Sequence, residues 1–189
     1  MTNSYIVVMV ASAGGLKALS EILSNLPPDF PAPIAVVQHL DPHYPSMLAS
    51  ILSKRTPLVV KQAEAGDKLK PGTVYIAPPD QHLLVNTDAT LSLSQDKKVC
   101  NVRPAGDVLF QSAAASFQEQ AIAVVLTGMD SDGAAGVQAI KSMGGVVIAQ
   151  DKATADFFAM PEAAIKTGTV DFVLPLDAIA STLIELTNR

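Results

Sequence analysis

The strongest constraint on the fold is a set of short, unbroken apolar runs, each stopped by glycine, proline or a polar residue. They include Ile6-Val7-Val8-Met9-Val10-Ala11, Ile34-Ala35-Val36-Val37 and Ala121-Ile122-Ala123-Val124-Val125-Leu126. A run without polar alternation suits a strand buried on both faces, and such strands belong to parallel sheets covered by helices. A hydrophobic content of 49% supplies enough apolar surface for two such layers. The 189 residues fit one domain of ordinary size, so a single unit over 1–189 is expected.

Helical patterns alternate with these runs. A strand over 5–10 leads to a helix over 15–26, where Leu16, Leu19, Leu23 and Leu26 share a face and Pro27-Pro28 ends it. A strand over 34–39 follows, and Pro45 is placed to open a helix carrying Leu48, Ile51 and Leu52. Short segments at 59–61, 73–77, 83–86 and 90–94 read as a local hairpin region, separated by Lys70-Pro71-Gly72 and Pro78-Pro79-Asp80. Alternation then resumes: helix 106–119, strand 121–126, helix 133–143, strand 145–149, helix 161–166, strand 170–174 and helix 177–186. The expected fold class is α/β, a mainly parallel, doubly wound sheet with helices on both faces and a local antiparallel hairpin region.

Several function classes drop out. The formal net charge is −5, no basic stripe is visible and tryptophan is absent, which argues against nucleic acid as a partner. No apolar stretch approaches the ~18 residues of a membrane span, so no membrane insertion is expected. The N-terminus lacks a charged n-region and a cleavage site, so no signal peptide is expected. Cys100 is the only cysteine, which fits a reducing compartment and a cytoplasmic location. Its neighbours Val99 and Asn101 offer nothing to activate a thiolate.

Polar residues end three of the runs: Ser12, His39 and, beyond Thr127-Gly128-Met129, Asp132. The carboxyl ends of parallel strands form the functional edge of such sheets. A serine, a histidine and an aspartate meeting there make a nucleophile, a base and an orienter. The chain order Ser, His, Asp matches none of the common hydrolase orders, and no G-x-S-x-G elbow surrounds Ser12. Each residue also has a plainer reading. Ser12 could cap the helix that follows, although Gly14 and Gly15 would also allow a tight turn that exposes its hydroxyl and leaves helix N–H groups free for an oxyanion. His39 could be a hydrogen-bonded core histidine. Asp132 could cap the next helix, and Asp130 competes with it for either role. His39, Asp41 and His43 suggest a metal set, but Pro42 breaks the helix that such spacing needs. His82, on a short strand after a turn, is expected at the surface.

As a set, these residues carry a resemblance. Ser12-Ala13-Gly14-Gly15, Gln38-His39, the segment 71–78, Arg103-Pro104, Asp107-Val108-Leu109-Phe110, Leu126-Thr127-Gly128-Met129, Asp132-Gly133-Ala134 and Ala149-Gln150-Asp151 occur in order along nearly the whole chain. Together they resemble the catalytic domain of the chemotaxis protein-glutamate methylesterase (CheB) family. The resemblance implies a cytoplasmic serine hydrolase that removes methyl esters from glutamates of chemoreceptors and deamidates particular receptor glutamines. It implies Ser12 as nucleophile, His39 as base and Asp132, rather than Asp130, as orienter, with Ala13, Gly14, Gln38 and Met129 lining the site or serving the oxyanion. No metal or organic cofactor is expected. The implied partners are methylated chemoreceptor cytoplasmic helices, with any regulatory protein acting in trans, because no receiver domain fits ahead of residue 5. Two departures stand out. Asp130 replaces a glycine of the better-known pattern and would raise the pKa of His39, and Lys152 stands where an acidic residue is common. The competing readings are a catalytically silent receptor- or partner-binding module and an esterase for small esters.

Overall fold

The structure is a computed structural model that describes residues 4–189. In chain order the elements are β1 (Ile6–Ala11), α1 (Gly15–Ser24), β2 (Ile34–Gln38), α2 (Leu48–Ser53), β3 (Val59–Gln62), β4 (Thr73–Ile76), β5 (His82–Val85) and β6 (Leu91–Ser94). They continue with α3 (Gly106–Phe117), β7 (Ala121–Val125), α4 (Ala134–Ser142), β8 (Val146–Gln150), α5 (Ala159–Lys166), β9 (Phe172–Leu174) and α6 (Leu176–Thr187). Seven strands form one parallel sheet in the order β3-β4-β2-β1-β7-β8-β9, and β5 and β6 form a separate antiparallel pair.

The unbroken apolar runs become the inner strands. Every residue of β1, β2 and β7 is buried, because helices cover both faces of the sheet. Alternate residues of β1 serve different cores, as the two-residue period of a strand requires. Val7, Met9 and Ala11 pack with Leu19, Ile22 and Leu23 of α1 and Ile179 and Leu183 of α6. Ile6, Val8 and Val10 pack with Leu109 and Phe110 of α3, Val137 and Ile140 of α4 and Met160 of α5. Removing a whole buried aliphatic side chain from such a site costs about 2–5 kcal/mol.

The hairpin region is smaller than expected. Strands β3 and β4 join the main sheet in parallel, Val59 opposite Thr73 and Val74 opposite Ile34. The reason is burial: all four residues of β4 are covered, which makes it an inner strand. Lys70-Pro71-Gly72 therefore ends a helix-free crossover and is not a hairpin turn. Only β5 and β6 pair antiparallel, Leu83 opposite Leu93. Pro45 lies in the loop ahead of α2 and does not open it. Other boundaries move by a few residues, the usual fraying of element ends.

From β1 the chain passes through α1 to β2 on one side, whereas β7 lies on the other side of β1. Connections leaving the carboxyl ends of β1 and β7 thus diverge, which opens a crevice at that edge. Ser12, His39 and the segment 127–132 all follow strand ends there. No helix among the described residues is long and apolar enough to cross a membrane.

Candidate active site

Ser12 is held by its backbone and left open at its side chain. Its N–H donates to the Thr127 carbonyl at 3.0 Å, and its carbonyl accepts from the Gly15 N–H at 2.8 Å and from Gln38 Nε2 at 2.9 Å. Two glycines make this turn feasible. Gly14 sits at φ +79°, where a side chain would be strained, and a Cβ on Gly15 would lie 1.9 Å from Gln38 Oε1. Ser12 is half-buried, and its Oγ makes no hydrogen bond among the described residues. The N-cap of α1 is Gly14 without a side-chain cap, so Ser12 does not cap that helix.

His39 follows β2 and is pinned to the end of β1 by a 3.0 Å hydrogen bond from its N–H to the Ala11 carbonyl. Its side chain is 11% exposed. Nε2 lies 2.7 Å from Asp132 Oδ2, a short, charge-assisted contact. Nδ1 lies 3.1 Å from Asp130 Oδ2, close enough for an ion pair but off the line of the ring N–H. Both aspartates therefore reach His39, and the sequence ambiguity between them reflects a real double contact. Asp132 is fully buried, whereas Asp130 is 34% exposed.

Asp132 does cap a helix, but not the one it precedes. The N-cap of α4 is Gly133, without a side-chain cap. Asp132 instead accepts N–H bonds from Gly106 at 2.6 Å and Asp107 at 2.9 Å, at the start of α3. Asp107 reciprocates, accepting from Gly133 at 3.0 Å and Gly136 at 2.7 Å at the start of α4. Each carboxylate satisfies orphan donors of the other's helix, where the helix dipole favours negative charge. The cross-link holds Asp132 rigidly against His39.

Electrostatics follow from this crowding. Burial works against charge on His39, but the close approach and charge of Asp130 and the hydrogen bond and charge of Asp132 outweigh it and raise its pKa from 6.5 to about 9. Burial also pushes the Asp130 carboxyl up, yet His39 and the Asp132 N–H hold it below the usual carboxylate range. Burial and the Asp132 charge raise Asp107, against the pull of its two glycine N–H bonds. Burial, with Asp107 beside it, raises the Cys100 thiol, which leaves it poor in thiolate.

Cys100, Asp107 and Asp132 bring potential metal ligands within 4.8 Å of one another. Both oxygens of Asp132 and one of Asp107 already accept backbone N–H bonds, and the other Asp107 oxygen faces the Cys100 thiol at 3.7 Å. This donor set is committed to capping. His39, Asp41 and His43 do not gather: the His39 ring points at Asp130 and Asp132, and Asp41 accepts the His43 N–H in an exposed turn.

His82 is not at the surface. It is 1% exposed, with Nε2 2.9 Å from the Lys97 carbonyl and Nδ1 accepting the Ala105 N–H at 3.2 Å. Ala105 is the N-cap of α3, so this histidine anchors the start of the helix that Asp132 caps.

Sequence reasoning missed three positioning groups. Asp107 is one. Thr127 is another, its hydroxyl donating to the Ala13 carbonyl at 2.9 Å. Gln150 is the third, accepting the Thr127 N–H at 3.0 Å. Gln150 ends β8 as a polar residue after an apolar run, the same signal that marked His39. Around Ser12 the backbone N–H groups of Ala13, Gly14 and Met129 make no hydrogen bond among the described residues. A groove of about 990 Å³ begins at Ser12 and Gln38 and runs between α1 and the segment ending in α2, past Leu16, Tyr44, Met47 and Arg55.

Comparison with known proteins gives the family of the chain. The family model described as CheB methylesterase matches residues 7–183. A Thermotoga maritima protein named protein-glutamate methylesterase/protein-glutamine glutaminase is 46% identical over 184 residues, covering 96% of this chain and 54% of that protein. A Leptospira interrogans protein, named a putative enzyme of the same kind, is 41% identical over 184 residues, covering 97% of this chain and 95% of its own. The crystal structure of the Thermotoga maritima CheB methylesterase catalytic domain superposes with a TM-score of 0.93 at 45% identity, covering 97% of this chain and 98% of that one. The chain thus spans about half the length of the Thermotoga relative and nearly all of the Leptospira one. On profile, identity and fold together, this chain belongs to the CheB methylesterase family.

Proposed function

We propose that this chain is a serine hydrolase that removes methyl esters from glutamate side chains of chemoreceptors, using Ser12, His39 and Asp132. One observation carries the reading: at the crevice between β1 and β7, Asp132 holds the imidazole of His39 on the same edge as the unengaged hydroxyl of Ser12. The names of the relatives supply the substrate class, a methylated glutamate in a protein.

In this mechanism Ser12 Oγ attacks the ester carbonyl and neutral His39 takes its proton. Asp132 fixes the imidazole tautomer and stabilises the imidazolium. The uncommitted N–H groups of Ala13, Gly14 and Met129 are the candidate donors to the tetrahedral oxyanion. The C–O bond to the methoxy group breaks, and His39 protonates the departing methanol. Water then attacks the acyl-serine with His39 again as base, the bond to Ser12 Oγ breaks, and the receptor glutamate leaves with a free side-chain carboxylate as His39 returns the proton to Ser12. Deamidation of glutamine follows the same path with ammonia as leaving group. No step calls for a metal or cofactor. The groove from Ser12 past Tyr44 and Met47 is the surface on which the segment bearing the reacting side chain would lie. Gln38 steadies both loops, because its Nε2 donates to the carbonyls of Ser12 and His39.

The test is methanol release from methylated receptor cytoplasmic fragments. The protein should release methanol, and Ser12→Ala should lower the rate by at least about a thousandfold. Near-normal release by a folded Ser12→Ala protein would falsify the triad. Absence of any release from receptor fragments alongside turnover of small esters would move the assignment to a small-molecule esterase.

A further inference from the structure

The mechanism above gives Asp130 no task, yet Asp130 touches the base. A Ser-His-Asp relay uses one imidazole nitrogen for the orienter and the other for the serine. Nε2 is taken by Asp132 at 2.7 Å. The remaining nitrogen, Nδ1, faces Asp130 Oδ2 at 3.1 Å, while Ser12 Oγ bonds to neither nitrogen. We propose that Asp130 is a positioning residue that competes with Ser12 for Nδ1 of His39 and so holds the resting site in a closed state. This rests on the triad reading and adds a restraint to it.

Three features support the restraint. First, the contact is built in: Asp130 Oδ1 accepts the Asp132 N–H at 2.9 Å, so a local turn aims the other oxygen at the ring. Second, the Asp132 hydrogen bond at Nε2 and the Asp130 charge 3.1 Å from Nδ1 both favour the imidazolium. That form cannot take a proton from Ser12. Third, the charged and titratable groups around His39 reinforce one another. Asp130 and Asp132 face it from the loop after β7, Asp107 lies behind Asp132 at the head of α3, and Cys100 contributes only a protonated thiol. With the His39 pKa near 9, about one molecule in a hundred carries the neutral base at pH 7. The contact is also breakable, since Asp130 is 34% exposed beside the exposed Met129.

Asp130→Asn tests the proposal. The amide keeps an oxygen for the Asp132 N–H and removes the charge from Nδ1, so the fold should persist, but its NH2 still faces Nδ1; Asp130→Ala, which leaves nothing there, is measured beside it and carries the expected rise in rate. Two readouts are needed, the pH dependence of kcat/KM for methanol release and the NMR titration of the His39 ring. The sequence has three histidines, so the His39 resonance can be assigned by its loss in His39→Gln. Both midpoints should fall by at least about one unit, and the rate at pH 7 should rise about tenfold for each unit of fall. A purely structural role for Asp130 would move neither midpoint. Turnover abolished by Ser12→Ala establishes the triad independently. Given that, unchanged midpoints in Asp130→Asn, or a slower rate at pH 7 in Asp130→Ala, overturn the restraint. If no variant turns over and Ser12 is inert, the triad reading falls, and the restraint falls with it.

Discussion

The reciprocal capping of α3 and α4 predicts a sharp difference between two substitutions at one position. Asp107 Oδ1 accepts the buried N–H groups of Gly133 and Gly136. In Asp107→Ala both donors lose their acceptor in a site closed to water. A buried unsatisfied polar group costs about 1–3 kcal/mol. Two such groups cost about 4 kcal/mol, and relief of the repulsion from Asp132 returns part of that. A net loss of about 3 kcal/mol is expected. Asp107→Asn keeps an oxygen for both N–H groups and removes the charge that burial and Asp132 disfavour. It should lie within about 1 kcal/mol of the natural protein. The raised pKa fixes the sign of the pH dependence. The ionised form is penalised on folding, so the Asp107 contribution is largest below the unfolded pKa of about 3.9 and declines as pH rises above it. Asp107→Asn should therefore gain relative to the natural protein between acid and neutral pH. Urea unfolding at pH 7, with equal slopes across the series, measures all three proteins. A loss below about 1 kcal/mol in Asp107→Ala, or equal losses in both variants, would refute the capping argument.

Two further outcomes follow from the same geometry. Asp132→Asn keeps Oδ1 for the Asp107 N–H, but the amide N–H that replaces Oδ2 leaves the Gly106 N–H without its acceptor and faces His39 Nε2, which enforces the wrong tautomer. The kcat for methanol release should fall by about 10⁴-fold while unfolding by urea changes far less; equal damage to both would indicate a purely structural aspartate. The raised His39 pKa also links stability to pH. Its stabilisation is fully present below the unfolded value of 6.5 and is lost as pH rises through about 9. The stability difference between the natural protein and His39→Gln should shrink by about 3 kcal/mol between pH 6 and pH 10, and a constant difference in urea titrations would contradict it.

The architecture was legible because the inner strands are apolar on both faces. Runs such as Ile34-Ala35-Val36-Val37 have no alternation to confuse them with half-exposed strands. The region 59–94 was harder. Its strands are only four residues long, and a turn signal such as Lys70-Pro71-Gly72 marks a chain reversal without saying whether the next strand pairs with the previous one or crosses over. Ser12, His39 and Asp132 stood out because each is polar where an apolar run has ended. Asp107 did not, because its partners at 133 and 136 come from a different helix and no local spacing records that contact. His82 was misplaced for a related reason. Its burial comes from the carbonyl of Lys97 and the N–H of Ala105, both distant in sequence. The Asp130 contact was visible only as a second carboxylate near the base, and its direction at Nδ1 required three dimensions.

The central claim is that Ser12 is the nucleophile, and covalent capture tests it most directly. The protein is incubated with a serine-directed phosphonate across pH 6–10, and the adduct is located by peptide mass spectrometry. The account predicts a single adduct on Ser12, forming faster as pH rises through the His39 pKa of about 9 and absent from His39→Gln. An adduct on another residue, or no adduct at any pH in a protein that still hydrolyses receptor methyl esters, would contradict it.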